Sequence, residues 1–307
     1  MKWGRKAMGL EIYASLPGYQ LDTQKILLQT LFFSIIFAYV VLTSKETIMI
    51  FYKNVLKVMF FLGFMINGAA AMEIKNLSQA VDVAGKQRMF TQRMLKDYTM
   101  TGMKNRFGNP GEDLKTIMVA FEDHMQSLHD FTSDEATKKS IEISQKLWTP
   151  TKTMLGAEPT KENARTLQVK LEEMLKAADK TTKLFAKLTG KKSGEIINIS
   201  GRQRMLSQRI AGLYMMKSWG IDDPEFKEKM HSAMRLFSDS HKQLKGYEKN
   251  TSDTTGLLKK VEKNFMFFEM MSDSPTFIPS LLFKKSMMIL KDMNTATGLY
   301  AKIGAAE

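Results

Sequence analysis

From Met72 onward the chain repeats one pattern: apolar positions at helical spacing, cut by short polar, glycine- or proline-bearing stretches, with almost no strand-like alternation. The interruptions fall at Gly108-Asn109-Pro110-Gly111, around Ser133-Asp134, from Gly156 to Thr160 and from Gly190 to Gly194. In the second half they fall at Asp222-Asp223-Pro224, from Asn250 to Asp253 and from Ser272 to Pro275. They predict eight helices, over about 73–107, 112–131, 135–155, 161–189, 195–220, 224–248, 254–271 and 277–304. Antiparallel helices with short connections make an up-down bundle. The expected fold is therefore all-α: two tandem up-down four-helix bundles, 72–190 and 191–307, behind an N-terminal hydrophobic or signal segment.

The division into two halves rests on an internal repeat. Residues 85–98, GKQRMFTQRMLKDY, return 116 positions later as 201–214, GRQRMLSQRIAGLY. Gly85, Gln87, Arg88, Met89, Gln92, Arg93 and Tyr98 correspond to Gly201, Gln203, Arg204, Met205, Gln208, Arg209 and Tyr214. Beyond the motif, LFAKL at 184–188 answers LYAKI at 299–303, and Phe121 and Leu128 answer Phe237 and Leu244.

Charge makes the repeated helix unusual. Between Val83 and Lys96 the charged residues are Lys86, Arg88, Arg93 and Lys96, and between Ile196 and Ile221 they are Arg202, Arg204, Arg209 and Lys217. Neither stretch holds a carboxylate, although opposite charges at i,i+4 stabilise a surface helix by a few tenths of a kcal/mol per pair. Either neighbouring helices supply the counter-charge or an anionic ligand does. At ~100° per residue Val83, Phe90, Met94 and Tyr98 share a core face, while Val81, Gly85, Arg88 and Gln92 line its edge. Ile197, Gly201, Arg204 and Gln208 repeat that line. Arg93 and Arg209 lie ~140° away from the first arginines, in a flanking or structural position. A mid-helix glycine costs roughly 0.5–1 kcal/mol against alanine, so Gly85 and Gly201 mark a close approach by another backbone or by a ligand. Arginine's planar fork can grip an oxyanion through two N–H groups, with glutamine as a neutral donor beside it.

The two segments resemble the signature of the PilJ/NarX-type sensor domain, the N-terminal module of type IV pili methyl-accepting chemotaxis transducers and of nitrate/nitrite sensor kinases. The second copy is the closer match; the first departs at Lys86, Phe90, Thr91 and Lys96-Asp97. The resemblance implies a periplasmic four-helix bundle whose first helix holds a small oxyanion through an arginine at a symmetric interface. Carried over by residue, Arg88 and Arg204 are the anion ligands, Gly85 and Gly201 the close-approach positions, and Gln92 and Gln208 their neighbours. Arg93, Arg209, Gln87 and Gln203 flank the site. The interface could join two chains as a homodimer or pair the two copies within one chain. A tight turn at 190–194 sets the bundles side by side with Arg88 facing Arg204, whereas a fused rod through it stacks them end to end. The two glycines in that stretch favour the turn.

The front of the chain reads differently. Residues 53–71, KNVLKVMFFLGFMINGAAA, combine lysines, a short apolar run and an A-x-A site, the pattern of a signal peptide over 49–71. Ile26 to Thr43 is a second apolar stretch, borderline in length for a membrane span. Two retained spans would return the bundles to the cytoplasm. Residues 1–48 are therefore expected to be mis-joined upstream sequence or an extra hydrophobic segment, with export to the periplasm, or an uncleaved membrane anchor as the alternative.

Composition then limits the function. The formal charge of +13 falls to +9 without residues 1–71, as 38 Lys and Arg stand against 29 Asp and Glu. A basic surface suits acidic partners, and export argues against nucleic acid. There is no cysteine, and His124, His129, His231 and His241 show no metal spacing, so they read as solvated helix-face residues. No nucleophile–base pair, carboxylate dyad or phosphate loop appears, so no enzyme, metal or cofactor is expected. The last predicted helix reaches almost to Glu307 with no output domain after it, so a sensor would report through another protein, a membrane chemoreceptor or sensor kinase. The expectation is a periplasmic, non-enzymatic binding module for a small anion (nitrate- or nitrite-like). The alternative is a helical interaction or adaptor module of the cell envelope with no small ligand.

Overall fold

The computed structural model describes residues 29–36, 72–272, 274 and 276–307. The chain divides into two units, Met1–Ala69 and Ala70–Glu307. In the first unit the described part is a helical segment over 29–36 with Leu31, Phe33 and Ile35 exposed. The expected signal peptide and the joint near residue 48 lie outside the described residues. Among those that are described, no helix is long and apolar enough to cross a membrane.

In the second unit the chain is all-α. The first set of four helices is α1 (Leu77–Gly102), α2 (Pro110–Phe131), α3 (Glu135–Gly156) and α4 (Lys161–Leu188). The second set is α5 (Lys192–Ser218), α6 (Phe226–Lys245), α7 (Ser252–Ser272) and α8 (Pro279–Ala306). Local chemistry sets the boundaries. The side chains of Asn76, Asp134 and Thr160 accept from the backbone N–H of Gln79, Thr137 and Asn163, capping α1, α3 and α4. Pro110 and Pro279 open α2 and α8, where the missing N–H costs nothing. The predicted extent 73–107 is too long at both ends: Asn76 fixes the start of α1, and Lys104 and Asn109 take left-handed backbone conformations beyond its end.

Between the two sets the chain turns rather than continuing as a rod. Gly190 adopts a positive φ of 63°, a conformation that costs glycine little, and α5 begins two residues later. Gly194 sits inside the first turn of α5 against the Thr189 side chain, where a Cβ would fall 2.1 Å from its hydroxyl oxygen.

The turn brings α5 beside α1, and this is the most extensive helix–helix contact in the molecule. Gly85 meets Gly201 and Lys96 reaches Gln208, so residue numbers rise together along the pair and the two helices run parallel. α1 also packs on α2, α4 and α8, and α5 on α6, α8 and α4. Both are consequently buried almost all round, not only along one amphipathic stripe. The expected core face is buried, with Val83, Phe90, Met94 and Tyr98 all at 6% exposure or less. The opposite face is buried as well, against the other bundle.

Aromatic residues fill each bundle. Phe121 packs on Trp148 in the first, and Phe237 stacks on Phe265 at 4.0 Å in the second. One expectation about the histidines is corrected here: His241 is buried beside Phe237, and burial lowers its pKa. His124 packs on Phe90, and burial takes its pKa to about 4. Neither is a solvated helix-face residue. Phe237→Ala should destabilise the protein by about 3–5 kcal/mol through lost burial and the cavity left behind, measured by urea unfolding.

Candidate functional site

The repeated motif builds one structure on both sides of the α1/α5 contact. Gln87 donates to the Phe121 carbonyl on α2 at 2.9 Å, and Gln203 to the Phe237 carbonyl on α6 at 2.8 Å. Thr91 and Ser207 hydroxyls donate back to the Arg88 and Arg204 carbonyls, each at 2.8 Å. Gln92 and Gln208 then donate to those hydroxyls at 3.3 and 3.2 Å. These equal bonds hold the outer helices and the motif glutamines in matching places.

Where the helices cross, backbone meets backbone. A Cβ on Gly85 would lie 3.7 Å from the Gly201 Cα, and one on Gly201 3.6 Å from the Gly85 Cα. It would also press on the guanidiniums: Arg204 Nη2 at 3.0 Å in both cases, and Arg88 Nη2 at 3.2 Å from a Cβ on Gly201. Gly85 and Gly201 therefore leave the room that the two guanidiniums occupy between the helices.

Arg88 and Arg204 are fully buried. Of the two sources of counter-charge that the acid-free stretches leave open, neighbouring helices are the one seen here. Arg88 Nη1 donates to Asp179 of α4 at 2.6 Å, and Nη2 to the Asn198 carbonyl of α5 at 3.0 Å. Arg204 Nη1 donates to the Asp82 carboxylate of α1 at 2.7 Å and to Asn294 Oδ1 of α8 at 3.2 Å, while Nη2 reaches the Asp82 carbonyl at 3.1 Å. The physical reason is the cost of burying a charge: an uncompensated guanidinium inside a helical layer is prohibitive, so neighbouring helices supply one carboxylate apiece. Burial works to raise the pKa of both aspartates. Arg204 and Lys86 outweigh it at Asp82, Arg88 and Lys183 outweigh it at Asp179, and both end below the usual value. Burial lowers Arg88 to about 10 against the pull of Asp179, which leaves it charged at neutral pH.

The partners follow a swapped pattern that the motif alone conceals. Asp82 in the first copy corresponds to Asn198 in the second at an offset of 116, and Asp179 corresponds to Asn294 at the 115 of the LFAKL/LYAKI match. Both acids therefore belong to the first copy and both amides to the second. Arg88 takes its acid from its own bundle, and Arg204 takes its acid from the other. Asp82 lies one residue outside the acid-free stretch and Asp179 some ninety residues away, so the motif gave no view of either. Extending the repeat alignment over its whole length would have revealed them as an acid/amide alternation.

The second arginines do separate work, as their position on the wheel implies. Arg93 grips Asp113 at the start of α2 through Nε and Nη2, at 2.9 and 2.5 Å. Arg209 Nη1 contacts both oxygens of Glu172 at 2.6 and 2.7 Å and so ties α5 to α4 of the other copy.

Lys96 and Asp97, where the first copy departs from the second, are also fully buried. The Lys96 ammonium enters the second bundle, donating to Gln208 Oε1 at 2.9 Å and standing 4.2 Å over the Phe283 ring. Its counterpart is Gly212, and the counterpart of Gln208 is Gln92, whose Oε1 has no hydrogen-bond partner among the described residues. Asp97 lies 3.4 Å from the Lys96 ammonium and 3.9 Å from Arg93. Burial, opposed by Lys96 and reinforced by Asp113, pushes its pKa up to about 8, so at neutral pH it is mostly a neutral acid, and burial likewise lowers the pKa of Lys96 beside it. Among the described residues no group of histidine and acidic side chains has the arrangement of a metal site.

Comparison with known proteins bears on the second copy. Residues 189–263, spanning α5, α6 and part of α7, match PilJ, the N-terminal region of type IV pili methyl-accepting chemotaxis transducers. No curated protein and no solved structure matches the chain.

Two outcomes follow from the buried charges. Arg204→Met should cost about 3–5 kcal/mol because it strands the Asp82 carboxylate, and Asp82→Asn in the same chain should recover part of that loss in a denaturant double-mutant cycle. At Asp97 the folded pKa is raised, so between about pH 4 and 8 the folded state holds a proton that the unfolded state releases, and stability falls as pH rises. Asp97→Asn should flatten that fall and raise the melting temperature at pH 8 relative to wild type, measured by circular dichroism across pH.

Proposed function

We propose that residues 72–307 form a non-enzymatic sensory module of a chemotaxis-type signalling system, placed in the cell envelope after export and working through a protein partner such as a membrane chemoreceptor. The observation that carries this reading is the PilJ match over 189–263, on the helices that contain the second copy of the motif. The buried α1/α5 seam supports it physically. Two helices joined through glycines and arginine–aspartate pairs make a defined interface whose shift would be felt by both bundles.

Within this reading the helical interaction role takes precedence over small-anion capture. Each first arginine already has a carboxylate at 2.6 or 2.7 Å, so a nitrate- or nitrite-like anion would have to displace Asp179 or Asp82. One observation favours the anion reading as a second possibility: the Nε atoms of Arg88 and Arg204 have no hydrogen-bond partner among the described residues. A site of that kind would comprise Arg88, Arg204, Gly85, Gly201, Gln92 and Gln208. In either reading export to the periplasm is part of the proposal, as is the use of the two copies as each other's partner in place of a homodimer.

Deleting the gene in its own host should impair directed surface motility, and the wild-type chain should restore it. Unchanged taxis in the deletion strain rejects the sensory reading. Titration calorimetry with nitrate, nitrite, sulfate and phosphate separates the two versions. The interaction role predicts no heat of binding, whereas uptake abolished by Arg88→Ala and Arg204→Ala would establish the anion site.

A further inference from the structure

We infer that the groove between α7 and α8 is the docking surface for an acidic, amphipathic helix of a partner protein. The inference rests on the proposed reading that the module works through such a partner, and it adds where the partner sits and what chemistry it carries.

The groove is open and encloses about 480 Å³. Lys260 and Lys263 line it from α7, and Lys285, Met288, Lys291 and Asp292 line it from α8. Four lysines against one aspartate leave a strong positive excess in a space the width of a helix face. On the same bundle several exposed cations are neutralised locally, Lys245 by Glu262, Lys229 by Glu225 and Arg235 by Glu228. Among the described residues Lys260, Lys263 and Lys291 form no close ion pair. The fourth lysine is held in place: the Lys285 ammonium lies 3.8 Å over the Phe267 ring and donates to Asn264 Oδ1 at 3.2 Å. A cation fixed in that way loses little freedom when an anion arrives.

The groove also has an apolar lining residue. Met288, which lines the groove from α8, is 40% exposed, and outside that lining α7 exposes Met266 and Met270 at 62% each. Solvent-facing methionines are a poor choice for stability alone, and their flexible, polarisable side chains adapt to apolar partner residues. Basic rims on two adjacent helices with an apolar point between them match a helix laid in a groove, which presents apolar residues at i, i+4 and i+7 with carboxylates alongside.

The duplication supplies a comparison within the chain. At the offset of 115, Lys285 and Lys291 correspond to Lys170 and Lys176 on α4, but Met288 corresponds to the exposed Glu173. The first copy thus places a carboxylate between its two lysines, and the second replaces it with a thioether. What the fold requires should recur in both copies, so this difference points to a role carried by the second copy alone.

The test uses the full chain and a synthetic helical peptide with leucines at i, i+4 and i+7 and glutamates flanking them. Controls are a peptide of the same composition with the leucines scattered and vesicles containing phosphatidylglycerol. Binding followed by fluorescence anisotropy should weaken with salt and fall about tenfold or more in Lys263→Glu/Lys291→Glu. The charge-matched control Lys139→Glu/Lys146→Glu on α3 should bind like wild type, and all variants should keep wild-type circular dichroism. Bound peptide should protect Met288 from peroxide oxidation. Equal binding of the scattered peptide, vesicle binding without peptide binding, or unchanged affinity in Lys263→Glu/Lys291→Glu overturns the proposal. If that variant still restores motility to the deletion strain, the groove is dispensable while the sensory reading stands. Failure of the wild-type chain to affect motility rejects the sensory reading itself.

Discussion

The closeness of α1 and α5 at Gly85 and Gly201 is the constraint from which the other arrangements follow. With no side chain on either glycine the backbones come into contact, and the space left beside them admits one guanidinium from each helix. Two like charges are then buried in the same layer, which the interior tolerates only with opposite charge at hydrogen-bonding distance. Asp82 and Asp179 meet that need, one from α1 and one from α4. A side chain at either glycine would crowd the guanidiniums and force them to shift, so the small and the charged residues of the motif form one device.

From this seam outward the molecule is organised by which helix faces are covered. α1 and α5 have neighbours on all sides, so their polar residues become internal connections. The glutamines Gln87 and Gln203 fasten α2 and α6, Arg93 fastens the start of α2, and Arg209 fastens α4. Lys96 crosses into the second bundle to reach Gln208. Buried hydrogen bonds of this kind add modest net stability but penalise every other register, since each group would be left unpaired. The parallel register of the two bundles is thereby specified. In a sensory module, such a seam offers a discrete position from which a displacement can be passed to both bundles.

The two motif-bearing halves differ where their shared geometry allows it. The arginines, glycines and glutamines keep equivalent bonds, while the acids have collected in the first copy and the amides in the second. Charge balance explains why that is tolerated: the seam needs two carboxylates in total, and each arginine can be served by either bundle. Lys96 opposite Gly212 is a second asymmetry, with the longer residue on one helix occupying room left by its small counterpart on the other. Met288 in place of Glu173 is a third, and it lies on the surface, where packing does not dictate the choice.

Periodicity and punctuation were enough to obtain the helical class and the eight helices, because each is encoded by residues close together in sequence. The mid-helix glycines also announced a close approach, since their cost in a helix needs an explanation. The identity of what approached was not available locally. Arg88 and Arg204 looked free of counter-charge because Asp179 is distant in the chain and Asp82 belongs to the opposite helix, and only folding brings them to 2.6 and 2.7 Å. Likewise the helix wheel gave α1 one core face, whereas the turn at Gly190 buries α1 and α5 almost all round against each other. The amino-acid pattern thus determined the helices and their pairing residues; the tertiary structure decided which charges met, because charge compensation acts through space and is indifferent to order along the chain.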